Sequence, residues 1–159
     1  MTVVWTQWPD LNLPAGVTHL PTDGIAPAAS DLDKVEFYVP RYMGGPAAIA
    51  MVPDMKSLKV IQSPNAGVDD VLKIRPAGVT LCNAAGVHDA STAELAVALA
   101  IASRRGFADF AIDQAEQRWA HVRKPSLSDS NVAIVGHGNI GKMIAKMLSN
   151  FEVTVTSFS

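Results

Sequence analysis

Apolar and polar positions along this chain fall into short blocks of two kinds. Val3-Val4-Trp5, Val35-Glu36-Phe37-Tyr38-Val39, Lys59-Val60-Ile61-Gln62-Ser63 and Val79-Thr80-Leu81-Cys82 are rich in β-branched or aromatic residues. Pro, Gly, Asn or Asp bound each of them, which predicts strands. Between these runs, Pro46 to Met51 predicts a helix opening on proline, and Asp69 to Lys73 a shorter one. Ser91-Thr92-Ala93-Glu94 has the spacing of a capping box, with Ser91 as cap and Glu94 reaching back to it. From Ala93 to Ala102 every residue except Glu94 is apolar, so this helix is expected to be buried nearly all round. Arg104 and Arg105 suit the negative end of its dipole, and Gly106 ends it. A more polar amphipathic helix is expected from Ala108 to Trp119, and the charged, serine-rich stretch from His121 to Asn131 reads as a connector. Val132 to Val135 then predicts a buried strand, Lys142 to Ser149 a helix, and Val153 to Ser159 a last strand. Strands alternating with helices predict an α/β fold built on a parallel sheet.

Bulk properties narrow the function classes. At 159 residues the chain makes one ordinary domain or two small ones, and 48% hydrophobic residues suffice for a core. A net charge of −2 gives no electrostatic reason to expect nucleic acid or an anionic membrane as partner. One cysteine, Cys82, excludes an intramolecular disulfide and fits a reducing, cytoplasmic setting. Its apolar neighbours predict a buried structural thiol. The longest apolar stretch, Leu95 to Ala102, is far short of the ~20 residues of a spanning helix.

The clearest chemistry lies at Gly136-His137-Gly138-Asn139-Ile140-Gly141, directly after the strand at Val132 and before a helix. That order is the context in which G-x-G-x-x-G marks a dinucleotide site. Gly136 permits the tight turn, Gly138 lets the backbone approach a pyrophosphate, and Gly141 allows close packing of helix on strand. The amides near Asn139 and Ile140 are unpaired donors at the positive end of the helix. A glycine turn with no ligand is the alternative. NAD-binding folds carry Asp or Glu at the end of the second strand, about twenty residues further on. Here that strand ends in Ser157-Phe158-Ser159, and Glu152 precedes it. The sequence leaves NAD and NADP both open.

Ser63-Pro64-Asn65-Ala66-Gly67-Val68-Asp69-Asp70 follows a strand and reads either as an anion-binding turn or as a plain loop. Asp69 and Asp70 read as first-turn partners of a helix dipole. His19 and His121 are expected in solvated loops, His88 in a cap or loop, and His137 with its side chain outward. No spacing of His, Cys or acids suggests a metal site. No catalytic constellation stands out.

Taken together, three blocks in register resemble the D-isomer-specific 2-hydroxyacid dehydrogenase family: the Ser63–Asp70 turn, the stretch Val79 to Arg104, and Val132 to Gly141 preceded by Trp119 and a linker. The resemblance covers the chain from Lys59 onward. It implies a flavodoxin-like substrate domain over residues 1–89 and the start of a Rossmann NAD(P)-binding domain over residues 90–159. It also implies that the amides of Ala66, Gly67 and Val68 hold a substrate carboxylate, that the pyrophosphate lies on Gly138-Asn139-Ile140, and that Thr92 faces the cofactor. The family's Arg, His and Glu, which orient the 2-oxo acid and move the proton, come from a later part of the Rossmann domain and have no counterpart here. The expectation is a fragment of an NAD- or NADP-dependent oxidoreductase that interconverts a 2-hydroxy acid and its 2-oxo acid, homodimeric at full length and inactive as these 159 residues. A non-enzymatic nucleotide-sensing regulator, or an inactive remnant of the fold, is the rival reading.

Overall fold

A computed structural model of the protein describes residues 1–20 and 27–159. They form two compact units, Met1–Ala85 and Gly86–Ser159.

The first unit contains β1 (Thr2–Trp5), β2 (Val17–Leu20), α1 (Ala29–Leu32), β3 (Phe37–Tyr38), α2 (Gly45–Ile49), β4 (Val60–Gln62), α3 (Asp69–Ile74) and β5 (Thr80–Cys82). Its five strands are all parallel, in the order β2-β1-β3-β4-β5. This is the flavodoxin-like order, in which the direction of winding reverses between β1 and β3. Trp5 stacks on Tyr38 across that reversal, with ring centroids 4.7 Å apart. Val35, Val52 and Ile61 are fully buried around the pair. Pro46 sits in the first turn of α2, and Asp69 and Asp70 in the first turn of α3, as their chemistry predicts.

Two features of this unit differ from expectation. β2 was not apparent in the sequence, and it takes His19 out of a loop and into a strand, with Nε2 3.4 Å from the buried Thr6 hydroxyl. Cys82 ends β5 half-buried, not fully buried, because its strand is at the sheet edge.

The second unit contains α4 (Asp89–Arg105), α5 (Phe107–Ala115), β6 (Ser130–Val135), α6 (Asn139–Leu148) and β7 (Val153–Phe158). β6 and β7 pair in parallel, from Ser130 with Val153 to Val135 with Phe158. Val97 of α4, Leu127 and Leu148 of α6 form a small core with Ile144, Val132, Val153 and Val155 packed against it. α4 ends as predicted, on Gly106 at φ 66°, whose amide bonds back to the Ala102 and Ser103 carbonyls.

Its start does not follow the capping-box pattern. The helix begins at Asp89 with His88 as cap residue, so Ser91 already lies inside the first turn and donates its hydroxyl to the His88 carbonyl at 3.2 Å. Nor is α4 buried all round. Ala93 and Val97 are buried, but Leu95 and Leu99 are 58% and 59% exposed, because the unit offers a single small core to pack against. The strand β6 is likewise covered on one face alone: Ile134 is buried and Val135 is 87% exposed. The following helix starts at Asn139, three residues before the predicted Lys142, so the fingerprint's last three residues form its first turn.

Candidate functional site

Two sets of backbone donors are the candidates for ligand binding, one in each unit. In the second unit, β6 delivers the chain into Gly136, which adopts φ 95°, a conformation that side chains with a Cβ rarely take. The Gly136 amide closes the turn on the Phe158 carbonyl at 2.8 Å. Gly138 is the cap residue of α6, and a Cβ built on it meets no atom within 4 Å. Gly141 is its opposite: a Cβ there would stand 2.1 Å from the Gly136 carbonyl oxygen. The turn and the helix therefore touch at Gly141 and leave the space over Gly138 open.

Lys142 is the first residue of α6 whose amide reaches back into the helix, to the Gly138 carbonyl at 2.9 Å. The amides of Asn139, Ile140 and Gly141 precede the ladder, and no side chain caps them among the described residues. Such donors, at the positive end of a ten-residue helix, suit a phosphate. A pyrophosphate fits this cradle because the one position where a Cβ would obstruct it is a glycine with open space. His137 lies within the turn, half-buried, with its Nδ1 buried and without a hydrogen-bond partner. Thr92 is exposed in the first turn of α4, its amide bonded to the His88 carbonyl at 3.0 Å.

In the first unit, the chain leaves β4 through Ser63, whose hydroxyl is buried and both donates to the Asn65 carbonyl and accepts from the Asn65 amide, each at 3.1 Å. Asn83, just past β5, donates its side-chain amide to the Ala66 carbonyl at 2.9 Å, and Ala84 donates to the Asn65 carbonyl at 3.1 Å. The carbonyls of this turn are thus held toward β5. Ala66 and Gly67 stay exposed, and Val68 is the uncapped start of α3.

A recess of about 260 Å³ opens beside them, bordered by Pro40 and Arg41 after β3, Ala48 of α2, and the turn from Ser63 to Val68. Tyr38 donates its hydroxyl to the Ala48 carbonyl, tying the recess wall to the core. Burial pushes the Tyr38 phenol well above its usual range, so it stays a donor at any ordinary pH. The supporting roles of Ser63, Asn83 and Tyr38 were not evident from spacing. Asn83 next to a strand end is the sole signal that could have suggested one.

Other candidates do not come together as chemistry. Among the described residues no three His, Cys, Asp or Glu side chains form a metal-binding group. Asp70 faces Lys73 at 3.7 Å on the surface of α3.

Comparison with known proteins agrees with the glycine turn. Residues 97–159 match the sequence profile of the D-isomer specific 2-hydroxyacid dehydrogenase, NAD binding domain. A hydroxypyruvate reductase of Thermotoga maritima is 30% identical over 107 residues, covering 65% of this chain and 35% of that protein. Among solved structures, a D-isomer specific 2-hydroxyacid dehydrogenase family protein from Aeromonas salmonicida superposes with a TM-score of 0.81 at 21% identity, over 99% of this chain and 53% of its own. A D-isomer specific 2-hydroxyacid dehydrogenase from Xanthobacter autotrophicus Py2, in complex with NADPH and MES, gives 0.69 at 18% identity, over 99% and 53%. The chain thus spans about half the length of these solved structures and about a third of the curated relative. Over residues 97–159 the chain is similar in sequence to the NAD-binding domain of the D-isomer specific 2-hydroxyacid dehydrogenases, and its fold is the one those solved structures share.

Proposed function

We propose that this chain carries the substrate-binding and first nucleotide-binding elements of an NAD- or NADP-dependent 2-hydroxyacid dehydrogenase. Residues 1–89 serve the 2-hydroxy or 2-oxo acid, and residues 90–159 the cofactor. The observation that carries this reading is the turn at Gly136–Gly141, where a left-handed glycine, an open Gly138 and an uncapped helix start coincide. The amides of Asn139 and Ile140 hold the pyrophosphate, Gly136 and Gly141 set the turn against the helix, and Thr92 lies on the cofactor side. The amides of Ala66, Gly67 and Val68 take the substrate carboxylate, kept in place by Ser63 and Asn83 behind them. When bound, the nicotinamide nucleotide supplies or accepts a hydride.

Among the described residues neither site gathers an Arg, a Glu and a His, which supports a chain that binds the nucleotide without turning substrate over. The exposed Leu95 and Leu99, one turn apart on α4, and Trp119 at 92% exposure supply an apolar surface for a homodimer. The cytoplasm is the compartment that suits a chain with one thiol, and none of its described helices is long and apolar enough to cross a membrane.

The test is titration of the chain with NADH and NADPH, followed by assay with glyoxylate, pyruvate and hydroxypyruvate. Nucleotide binding without oxidation of the cofactor is expected. Turnover would overturn the statement that the catalytic groups lie outside these residues, and absence of binding would overturn the assignment of the glycine turn. Sedimentation at rising concentration checks the dimer.

A further inference from the structure

Parallel pairing fixes which residue of β7 meets the nucleotide. Val135 pairs with Phe158, and the Gly136 amide donates to the Phe158 carbonyl at 2.8 Å. Ser159 therefore stands level with the first residue of the glycine turn. In nucleotide folds of this kind the residue at the end of the second strand faces the adenosine ribose, and a carboxylate there accepts a hydrogen bond from the 2′-hydroxyl of NAD. Here that place holds a hydroxyl. Ser157 and Ser159 share the alternation of Val153 and Val155, the residues of β7 that pack with Ile144 and Met147 of α6.

Within residues 130–159 no carboxylate compensates. Between Ser130 and Ser159 the one acidic residue is Glu152, against Lys142 and Lys146. Glu152 precedes β7, and its carbonyl accepts the Asp129 amide at 2.7 Å, so both acids lie at the opposite end of the strands. Six strand residues separate Glu152 from Ser159, roughly 20 Å at the usual rise. That exceeds the Debye length of about 8 Å at physiological ionic strength, so the Glu152 charge is screened there.

We propose that this site selects the 2′-phosphorylated cofactor, NADPH over NADH, through the hydroxyls of Ser159 and Ser157 at the end of β7. The inference rests on the glycine turn being the nucleotide site. A phosphate dianion placed opposite hydroxyl donors accepts charge-assisted hydrogen bonds, whereas opposite a carboxylate it is repelled. The 2′-hydroxyl of NADH, in turn, loses the strong acceptor that an acid would supply. The gap between one charge-assisted and one neutral hydrogen bond corresponds to a preference of about fivefold.

The experiment compares dissociation constants for NADPH and NADH, read from nicotinamide fluorescence, which is the same chromophore in both. The chain is prepared with Ser159 amidated or followed by Gly-Ser, so that no main-chain carboxylate stands at the position tested. NADPH is expected to bind about fivefold tighter, and Ser159→Asp to weaken NADPH about tenfold while NADH is unchanged or tighter. Restoring the free terminal carboxylate should act in the same direction as Ser159→Asp. Equal or tighter binding of NADH to the Ser159 chain overturns the inference while leaving the glycine turn as a nucleotide site. So does a Ser159→Asp chain that binds NADPH as before. Binding of neither nucleotide overturns the reading of the turn itself, and the selectivity with it.

Discussion

Replacing Gly141 by alanine tests how the nucleotide turn is held. The added methyl would sit 2.1 Å from the Gly136 carbonyl oxygen, 3.2 Å from its carbon and 3.4 Å from Cγ2 of Ile134. The nearest atom is backbone, so no side-chain rotation relieves the overlap, and α6 must move off the Gly136 turn by roughly 1.3 Å or more to restore ordinary contact. That motion loosens the packing of Leu148, Ile144 and Met147 on Val132 and Val153. Overpacking of this kind costs about 3 kcal/mol, and the better helix propensity of alanine offsets about 1. A net loss of about 2 kcal/mol lowers the melting temperature of a unit the size of Gly86–Ser159 by about 10 °C. Thermal unfolding followed by circular dichroism reads it directly. A Gly141→Ala chain melting within about 3 °C of the parent would refute the account, since the overlap would then be relieved at almost no cost.

Three other positions give further outcomes. Gly138→Val should leave stability within about 0.5 kcal/mol, because a Cβ there meets nothing within 4 Å, yet should weaken nucleotide binding more than about tenfold by filling the phosphate's space. Calorimetric titration beside a melt separates the two effects. Gly136→Ala should cost about 1–2 kcal/mol in urea denaturation, because φ 95° is closed to alanine without strain. Tyr38 keeps its proton in the folded chain at pH values where the unfolded chain releases it, so stability should fall as pH rises past about 10. Tyr38→Phe should abolish that alkaline loss and cost about 1 kcal/mol at neutral pH for the missing bond to the Ala48 carbonyl. Urea midpoints at the two pH values measure both.

Much of the architecture is written in local pattern. Val3-Val4-Trp5, the run around Ile61 and Thr80-Leu81-Cys82 lie in strands of one parallel sheet, and the glycines at 136 and 141 fall where a left-handed turn and a close approach of helix and turn require them. What failed did so for lack of context. Val17-Thr18-His19-Leu20 is a strand because β1 is beside it, and four residues interrupted by a histidine carry too little alternation to reveal that. The apolar stretch of α4 told what the helix is able to bury, whereas exposure of Leu95 and Leu99 depends on what lies opposite. Ser91 and Glu94 had capping-box spacing, but the chain had already turned helical at Asp89, where an acid in the first turn serves the dipole equally well. At the Ser63–Val68 turn, the anchoring bond from Asn83 to Ala66 spans seventeen positions and exists only once β4 and β5 are paired.

The pairing of β6 with β7 also bears on how quickly the second unit assembles. Each of its six residue pairs joins positions twenty-three apart, from Ser130 with Val153 to Val135 with Phe158. A single loop closure, spanned by α6, therefore brings all six into register at once, and later pairs add almost no further closure entropy. Contacts of such short sequence separation favour fast folding. The glycine turn, lying inside that loop, takes shape in the same event, so pulse-labelling hydrogen exchange should show the paired amides of β6 and β7 and the Gly136 amide, bonded to the Phe158 carbonyl, becoming protected together in one kinetic phase.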